Sequence, residues 1–373
     1  MYIRFPGHIW GHGLNNVLQE TLLMSYLAYR TNRSFVFEDY TWSHTPLPYT
    51  IYDFALRPPR LPLNAFISGP SAGGPMPPSA NARAAVSAEH WEKVCPPARR
   101  RIVSSKDAPH SAEGDVLIRW WVDTLAAVPD SCVEIDSSSQ VVFDRYFFGE
   151  PRILSLWDSL ITSPILTEFT WSPLVHSAVA RNFPMLQPRS AKALMDVSAA
   201  GTLDGLVAVH LRRGDYKRHC PRLAGWGTAY MGVNQAPELP DRLDALALAN
   251  MTGADRHAEY MAHCLPSVAQ VAERLRALRA ANPGLRRVYV LTNGWGWWVA
   301  GLKKKLLEDG WDDMKSSLEL VLDEEQSYVA MAVDMAIAEK AEVFLGNGFS
   351  SLTSNVVMLR RAKGLAASSN RFL

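Results

Sequence analysis

Apolar positions along this chain recur at two periods, and the change from one to the other marks the elements. Tyr2-Ile3-Arg4-Phe5 reads as a short strand. Leu14, Leu18, Leu22 and Tyr26 then recur every four residues, the spacing of one helix face. Ser34-Phe35-Val36-Phe37 is a second strand. Strand, helix and strand in this order predict a βαβ unit with parallel strands and a right-handed crossover. The link from Gly7 to Gly13 reads as a glycine-spaced turn.

The alternation returns from about residue 199. Leu206 to Leu211 reads as a buried strand, and a helix follows Pro266 and runs to about Asn282, where Pro283-Gly284 stops it. Arg287 to Thr292 is a strand, Trp297 to Glu308 a helix, and Leu318 to Leu322 a strand. Glu324 to Lys340 reads as one helix, Glu342 to Gly346 as a strand, and Leu352 to Arg361 as a last helix. Such alternation predicts a doubly wound α/β domain that binds ligands at the carboxyl ends of its strands.

At ~100–200 residues per domain, 373 residues predict two domains, placed at 1–198 and 199–373. Pro58, Pro59, Pro62, Pro70, Pro75, Pro77 and Pro78 sit among Gly, Ser and Ala over residues 57–88. They mark an irregular insertion, taken to extend over about 57–115 of the N-terminal domain: a tolerated surface loop, or a flap over an acceptor groove. Residues 116–190, rich in Trp, Phe and Pro, show no readable period.

Composition narrows the class. Hydrophobic residues make up 48% and charged residues 20%, enough for a sizeable core. Lys plus Arg is 38 against 37 for Asp plus Glu, so the net charge of +1 gives no general attraction to nucleic acid or an acidic membrane. An anionic substrate would have to be caught by a few placed residues. No run reaches the roughly 20 apolar residues of a membrane span, so no membrane contact by the chain itself is expected. Met1 to Phe5 lacks the charged-then-apolar pattern of a signal peptide. Two locations stay open: the cytoplasm, or the lumen of the secretory pathway (endoplasmic reticulum or Golgi) if an anchor or signal lies outside this sequence.

Cys95, Cys132, Cys220 and Cys264 form no C-x-x-C pair, which argues against zinc; buried free thiols are the first expectation. Asn32-Arg33-Ser34 and Asn250-Met251-Thr252 are glycosylation sequons. Trp295, Trp297 and Trp298 are expected in the core, with an acceptor platform as the alternative.

Three runs could carry chemistry. Gly11-His12-Gly13-Leu14-Asn15-Asn16 lies between strand and helix, where small residues and free N–H groups favour an anion; as G-x-G-x-x-N it is an incomplete dinucleotide fingerprint, and a plain tight turn fits equally. His210-Leu211-Arg212-Arg213-Gly214-Asp215-Tyr216 brings two arginines to a strand's carboxyl end. Guanidinium grips phosphate as a two-pronged fork, but a solvated pair, or Arg213 tied to Asp215, is the plain alternative. Phe344-Leu345-Gly346-Asn347-Gly348-Phe349-Ser350-Ser351 could cradle a phosphate at a helix start, or one serine could simply cap it. Asp334, among Met331, Val333, Met335 and Ile337, needs a partner in an apolar stripe and could accept from a purine's N–H groups, with a salt bridge or a solvated helix face as the plain alternative. The sequence has no H-E-x-x-H, Walker lysine loop or D-x-D.

In this order the runs resemble the GDP-fucose protein O-fucosyltransferase family, most strongly over residues 205–360 and then 10–40. His210-Leu211-Arg212 matches the family's H-x-R motif. Val333-Asp334, Phe344 to Asn347 and Ser350-Ser351 match its last motif, and Tyr289 to Asn293 the strand between. The resemblance implies a GT-B fold of two Rossmann-like doubly wound domains facing across a cleft, the N-terminal one on the acceptor side. It implies metal-independent, inverting transfer of fucose from GDP-fucose to a hydroxyl acceptor, protein or glycan, with no cofactor. Arg212 would then bind the β-phosphate, and Ser350 and Ser351 the phosphate oxygens, with Leu352 next to them where relatives carry Phe. Asp334 and His210 would surround the guanine, and Thr292 would line the nucleotide. Asn15, with Gly13 and Asn16, would face the sugar and diphosphate. His12 stands where one branch has an acidic general base. The resemblance further implies a Cys220–Cys264 disulfide, a secretory setting and a glycan at Asn32. Two rivals stay open: a non-catalytic nucleotide-sugar or glycan-binding protein of this fold, and a transferase using another GDP- or UDP-sugar.

Overall fold

The structure, a computed structural model, describes residues 1–7, 13–52, 55–136, 138, 141–143, 145–186 and 202–373. Most of the Gly7–Gly13 turn, including His12, lies outside the described residues. The chain forms two compact units: Met1–Val175 with Glu324–Val329, and His176–Asp323 with Ala330–Leu373.

The first unit is built on β1 (Tyr2–Arg4), α1 (Leu14–Arg30), β2 (Ser34–Phe37), β3 (Val86–Ser87), α2 (Ala88–Val94), β4 (Arg101–Ser104), α3 (Gly114–Ala126) and β5 (Cys132–Asp136). Its sheet runs β3-β2-β1-β5-β4, every pair parallel. The predicted βαβ unit is present, with Tyr2 paired to Ser34. Leu14, Leu18, Leu22 and Tyr26 are all buried, so the four-residue stripe is the core face of α1. The insertion is not a plain surface loop. Phe66 and Ile67 are buried, Ile67–Ser68 pairs antiparallel with Thr170–Trp171, and the Ser71 hydroxyl donates to Ser25 on α1 at 2.9 Å. Short apolar pieces between the prolines hold it down.

Cys95 and Cys132 are bonded, with Cα atoms 5.7 Å apart, so the expectation of free thiols fails. The end of α2 meets the start of β5 beside the buried Trp91 and Val36. That juxtaposition comes from sheet order, which cysteine spacing does not encode.

The second unit contains β6 (Leu203–Leu211), α4 (Tyr216–Trp226), α5 (Gly253–Cys264), α6 (Val268–Ala281), β7 (Arg287–Thr292), α7 (Gly296–Glu308), β8 (Asp313–Ser316), α8 (Ala330–Lys340), β9 (Ala341–Gly346), α9 (Ser351–Ala362) and β10 (Asn370–Phe372). Its sheet is parallel throughout, in the order β8-β7-β6-β9-β10. Strand order therefore reverses between β6 and β9, the switch point where doubly wound sheets take ligands. Val207, Val209 and Leu211 pack against Val271, Leu275, Leu302 and Leu306 of α6 and α7. A capping box of Ser267 and Gln270 starts α6, and Asn282 ends it just before the predicted stop.

Two elements differ from expectation. The strand beside β7 is Asp313–Ser316, not Leu318–Leu322. Gly310, at φ 84°, turns the chain straight out of α7 into pairing, so Met314 and Ser316 are buried while Leu318 and Val321 stay 53% and 64% exposed. The helix expected over 324–340 is two, Glu324–Tyr328 in the first unit and α8 in the second.

Two further contacts hold the second unit. The fully buried Arg360 donates to the carbonyls of Glu339 (3.0 Å) and Ala341 (2.5 Å) and to Asn370 Oδ1 (2.8 Å), tying the α8–β9 turn to β10. The Cys220–Cys264 disulfide joins α4 to α5, with Cα atoms 5.8 Å apart. Two disulfides fit an oxidising compartment. No described helix is long and apolar enough to cross a membrane.

Cys220 and Cys264 are 44 residues apart, and closing a loop of that length removes about 4 kcal/mol of denatured-chain entropy. A Cys220→Ala/Cys264→Ala variant is expected to lose on the order of 4 kcal/mol in urea unfolding. A loss below about 1 kcal/mol would show that the bridge constrains little.

Candidate active site

The carboxyl ends of β6, β7 and β9 lie side by side in the sheet, and each carries a predicted residue. Beyond β6, Arg212 donates Nε to Asp215 Oδ1 at 2.9 Å and stacks over the Tyr216 ring at 5.3 Å. Its side chain is 39% exposed, so the guanidinium is anchored yet reachable by an anion. Arg213 does not pair with Asp215. It donates to the carbonyl of Pro266 at 2.6 Å and lies 4.2 Å over Trp298. The two arginines thus divide the work: one packs into the fold and the other faces out.

Asn293, just past β7, holds the arginine loop. Its Oδ1 accepts the backbone N–H of Arg213 (2.8 Å) and Gly214 (3.3 Å), and its Nδ2 donates to Asp215 Oδ1 (3.3 Å). Thr292 Oγ1 donates to the Leu211 carbonyl at 2.6 Å and accepts the Gly294 N–H at 3.0 Å. Thr292 therefore knits the ends of β6 and β7 together. Burial alone would raise the Asp215 carboxyl; the hydrogen bond and charge of Arg212, with the Asn293 amide, hold it below the usual range.

Beyond β9, Gly346-Asn347-Gly348 crosses closely packed ground. A Cβ on Gly346 would sit 2.2 Å from Thr353, and one on Gly348 2.4 Å from the Tyr230 ring. Asn347 is fully buried, donates to the Cys264 carbonyl at 2.7 Å and accepts the Phe349 N–H at 3.1 Å. The turn is thereby fastened to the disulfide. Ser350 caps α9, accepting the Leu352 N–H at 3.3 Å, and hydrogen-bonds Tyr216 beside Arg212. The N-terminus of a three-turn helix, with its uncompensated N–H groups, thus lies next to the arginine loop. Ser351 is half-buried and Leu352 buried.

Beneath this edge burial shifts the ionisable groups towards their neutral forms. His210 is buried, with Nδ1 3.0 Å from Thr353 Oγ1, and burial together with the Arg212 charge pushes its pKa down to about 3. Asp334, on α8, accepts from Tyr289 Oη at 2.5 Å and from Ser317 Oγ at 2.9 and 3.0 Å. Burial pushes its carboxyl up to about 7 against the pull of those two hydroxyls. Ser317 also accepts the Thr292 N–H at 3.0 Å, which links Asp334 to the sheet edge.

His210, Arg212, Thr292, Ser350, Ser351, Leu352 and Asp334 all belong to the second unit and gather around its switch point. Gly13, Asn15 and Asn16 belong to the first, where Gly13 caps α1 and Asn15 is buried in its first turn. Sequence reasoning missed the roles of Asn293, Ser317, Tyr216 and Tyr289; none stands out by type or period, and only the meeting of strand ends recruits them. Of the tryptophans, Trp298 is in the core as expected, whereas Trp295 and Trp297 are 61% and 72% exposed at the start of α7.

The sequence pattern of the GDP-fucose protein O-fucosyltransferase family matches residues 177–363, half of the chain, and includes His210, Arg212, Thr292, Asp334 and Ser350 to Leu352. The chain belongs to the GDP-fucose protein O-fucosyltransferase family. By that membership it is a glycosyltransferase, a fucosyltransferase by class. Its fold resembles that of POFUT1 in complex with GDP-fucose, at TM-score 0.62 and 14% identity over 100% of this chain and 97% of that one. POFUT1 in complex with GDP gives TM-score 0.58 and 15% identity over the same shares. The α/β fold of two parallel sheets is therefore that of this fucosyltransferase. No curated protein matches the chain by sequence.

The Asp334 carboxyl gives a signed pH test. Folded, it holds its proton up to about pH 7, whereas an unfolded aspartate titrates near ~3.9. Its contribution to stability is therefore present below about pH 4 and lost as the pH rises towards 7. The stability of wild type relative to Asp334→Asn should fall between pH 4 and 7 in urea titrations. A flat difference would mean that Asp334 titrates normally.

Proposed function

We propose that this chain transfers fucose from GDP-fucose to a hydroxyl of a protein acceptor, without a metal and with inversion at the anomeric carbon. The observation that carries the proposal is Arg212, held by Asp215 at the switch point beside the capped start of α9. The family's donor suits this edge: a diphosphate needs a planar cationic fork and helix N–H groups, and a nucleobase needs buried polar edges.

In this reading Arg212 binds the β-phosphate, and Ser350 and Ser351 take phosphate oxygens at the start of α9. Asp334 and His210 lie towards the guanine, with Thr292 and Leu352 lining the nucleotide. Asn15, with Gly13 and Asn16, takes the part of contacting the sugar and diphosphate. The bond from the sugar's anomeric carbon to the β-phosphate oxygen breaks, and GDP departs with the electron pair. The acceptor oxygen bonds the same carbon from the opposite face, and its proton passes to a base, for which the sequence offers His12. Charge on the departing GDP is neutralised by Arg212 and the helix start, already in place before the bond breaks. Neutral His210 adds no competing positive charge. The two disulfides and the family's secretory setting support a reaction in an oxidising lumen.

Arg212→Ala should lower GDP release from GDP-fucose with acceptor by on the order of 10²–10³-fold, the cost of one lost transition-state donor. Arg212→Lys should restore little, because a point charge cannot replace the fork. Near-wild-type turnover in the alanine variant would end the assignment. Thermal melts with GDP and UDP test the donor: GDP alone should raise the melting temperature, and an equal response to UDP would reject a guanine-specific site.

A further inference from the structure

Asn250-Met251-Thr252 is a sequon that the proposed reaction does not use, and the fold gives it a distinct setting. Asn250 ends the short helix Ala245–Ala249, with φ −87° and ψ −6°. Its side chain is exposed and makes no hydrogen bond within the described residues. Thr252, also exposed, opens α5: its hydroxyl accepts the Asp255 N–H at 3.2 Å and donates to the Asp255 carboxylate at 2.7 Å. The tripeptide is thus a surface link between two helices, with its asparagine amide directed to no protein partner. Leu246 lies four residues before Asn250, which sets both on one side of that helix, and it is 80% exposed. The other sequon is placed differently. Asn32 sits at φ 50°, its carbonyl accepts from Arg83 at 3.0 Å, and Arg33 and Ser34 are buried at the entry to β2.

We propose that Asn250 carries an N-linked oligosaccharide whose first sugar rings lie over Leu246. This rests on the luminal setting given with the proposed function, since the donor of such a glycan meets the chain only there. In the transfer, Asn250 Nδ2 bonds the anomeric carbon of a lipid-pyrophosphate-linked oligosaccharide. The lipid pyrophosphate leaves with the electron pair of the broken bond, and the amide releases one proton. A sugar ring has an apolar face, so the attached glycan covers the leucine while its hydroxyls stay in water. No donor-site residue lies in this link, so the glycan serves solubility and surface shielding and leaves transfer unaltered.

The test is a non-reducing peptide map of the full chain isolated from its own cells, before and after peptide:N-glycosidase treatment in heavy-oxygen water. The expected result is labelled aspartate at position 250 with the Cys220–Cys264 peptide intact. Asn250→Gln should remove the corresponding gel-mobility shift while GDP release stays within about twofold of wild type, as for a surface substitution. Bare Asn250 beside an intact disulfide would overturn the glycan and leave the luminal setting standing. Bare Asn250 with free thiols would overturn both. The wild-type map decides the matter even if the glutamine variant is poorly secreted.

Discussion

An arginine at the end of a strand has a long flexible stem and carries about 2 kcal/mol of rotamer entropy, so its fork stays in one place only when a partner holds it. Here the Asp215 carboxylate does. One oxygen accepts both Arg212 Nε and Asn293 Nδ2, so the charged side chain beyond β6 is fixed to the loop beyond β7. Asn293 in turn holds the backbone of Arg213 and Gly214, and Thr292 holds the carbonyl of Leu211. Two adjacent strand ends become one rigid edge, with a cation fixed on it.

The rest of the second unit preserves that edge. Gly346 and Gly348 let the turn after β9 lie against Thr353 and Tyr230, where any side chain would clash. Asn347 carries the turn to Cys264, and the disulfide carries it on to α4, the helix that begins beside Arg212. A loop that must stop a helix start and an arginine from drifting apart is thus clamped from both sides. The buried Arg360 does similar work further back, donating to carbonyls of the α8–β9 turn.

Charge is confined to the surface of the site. Burial leaves His210 neutral and holds the Asp334 proton to about pH 7, while Tyr289, pushed well above its ordinary pKa first by burial and then by the Asp334 charge, stays a donor. Buried groups that cannot ionise cheaply serve as hydrogen-bonding edges, and the accessible guanidinium serves as the charge. This division suits a ligand with a neutral base at one end and a diphosphate at the other.

By itself the sequence determined the elements whose pattern is local: the α1 stripe, the strands that became β6, β7 and β9, the helix stop at Asn282, and the H-L-R and F-L-G-N runs at strand ends. Period and strand-end position encode these directly, and the family resemblance added the Cys220–Cys264 bridge. Only the tertiary structure decided which neighbours meet. It gave Asp215 to Arg212 instead of Arg213, recruited Asn293 and Ser317, joined Cys95 to Cys132, and made Asp313–Ser316 the strand in place of the more apolar Leu318–Leu322. It also left Trp295 and Trp297 in water while burying Trp298. The recruitment of Asn293, the Cys95–Cys132 bond and the choice of strand depend on the order in which strands line up in a sheet, and contacts between residues tens of positions apart leave no period along the chain.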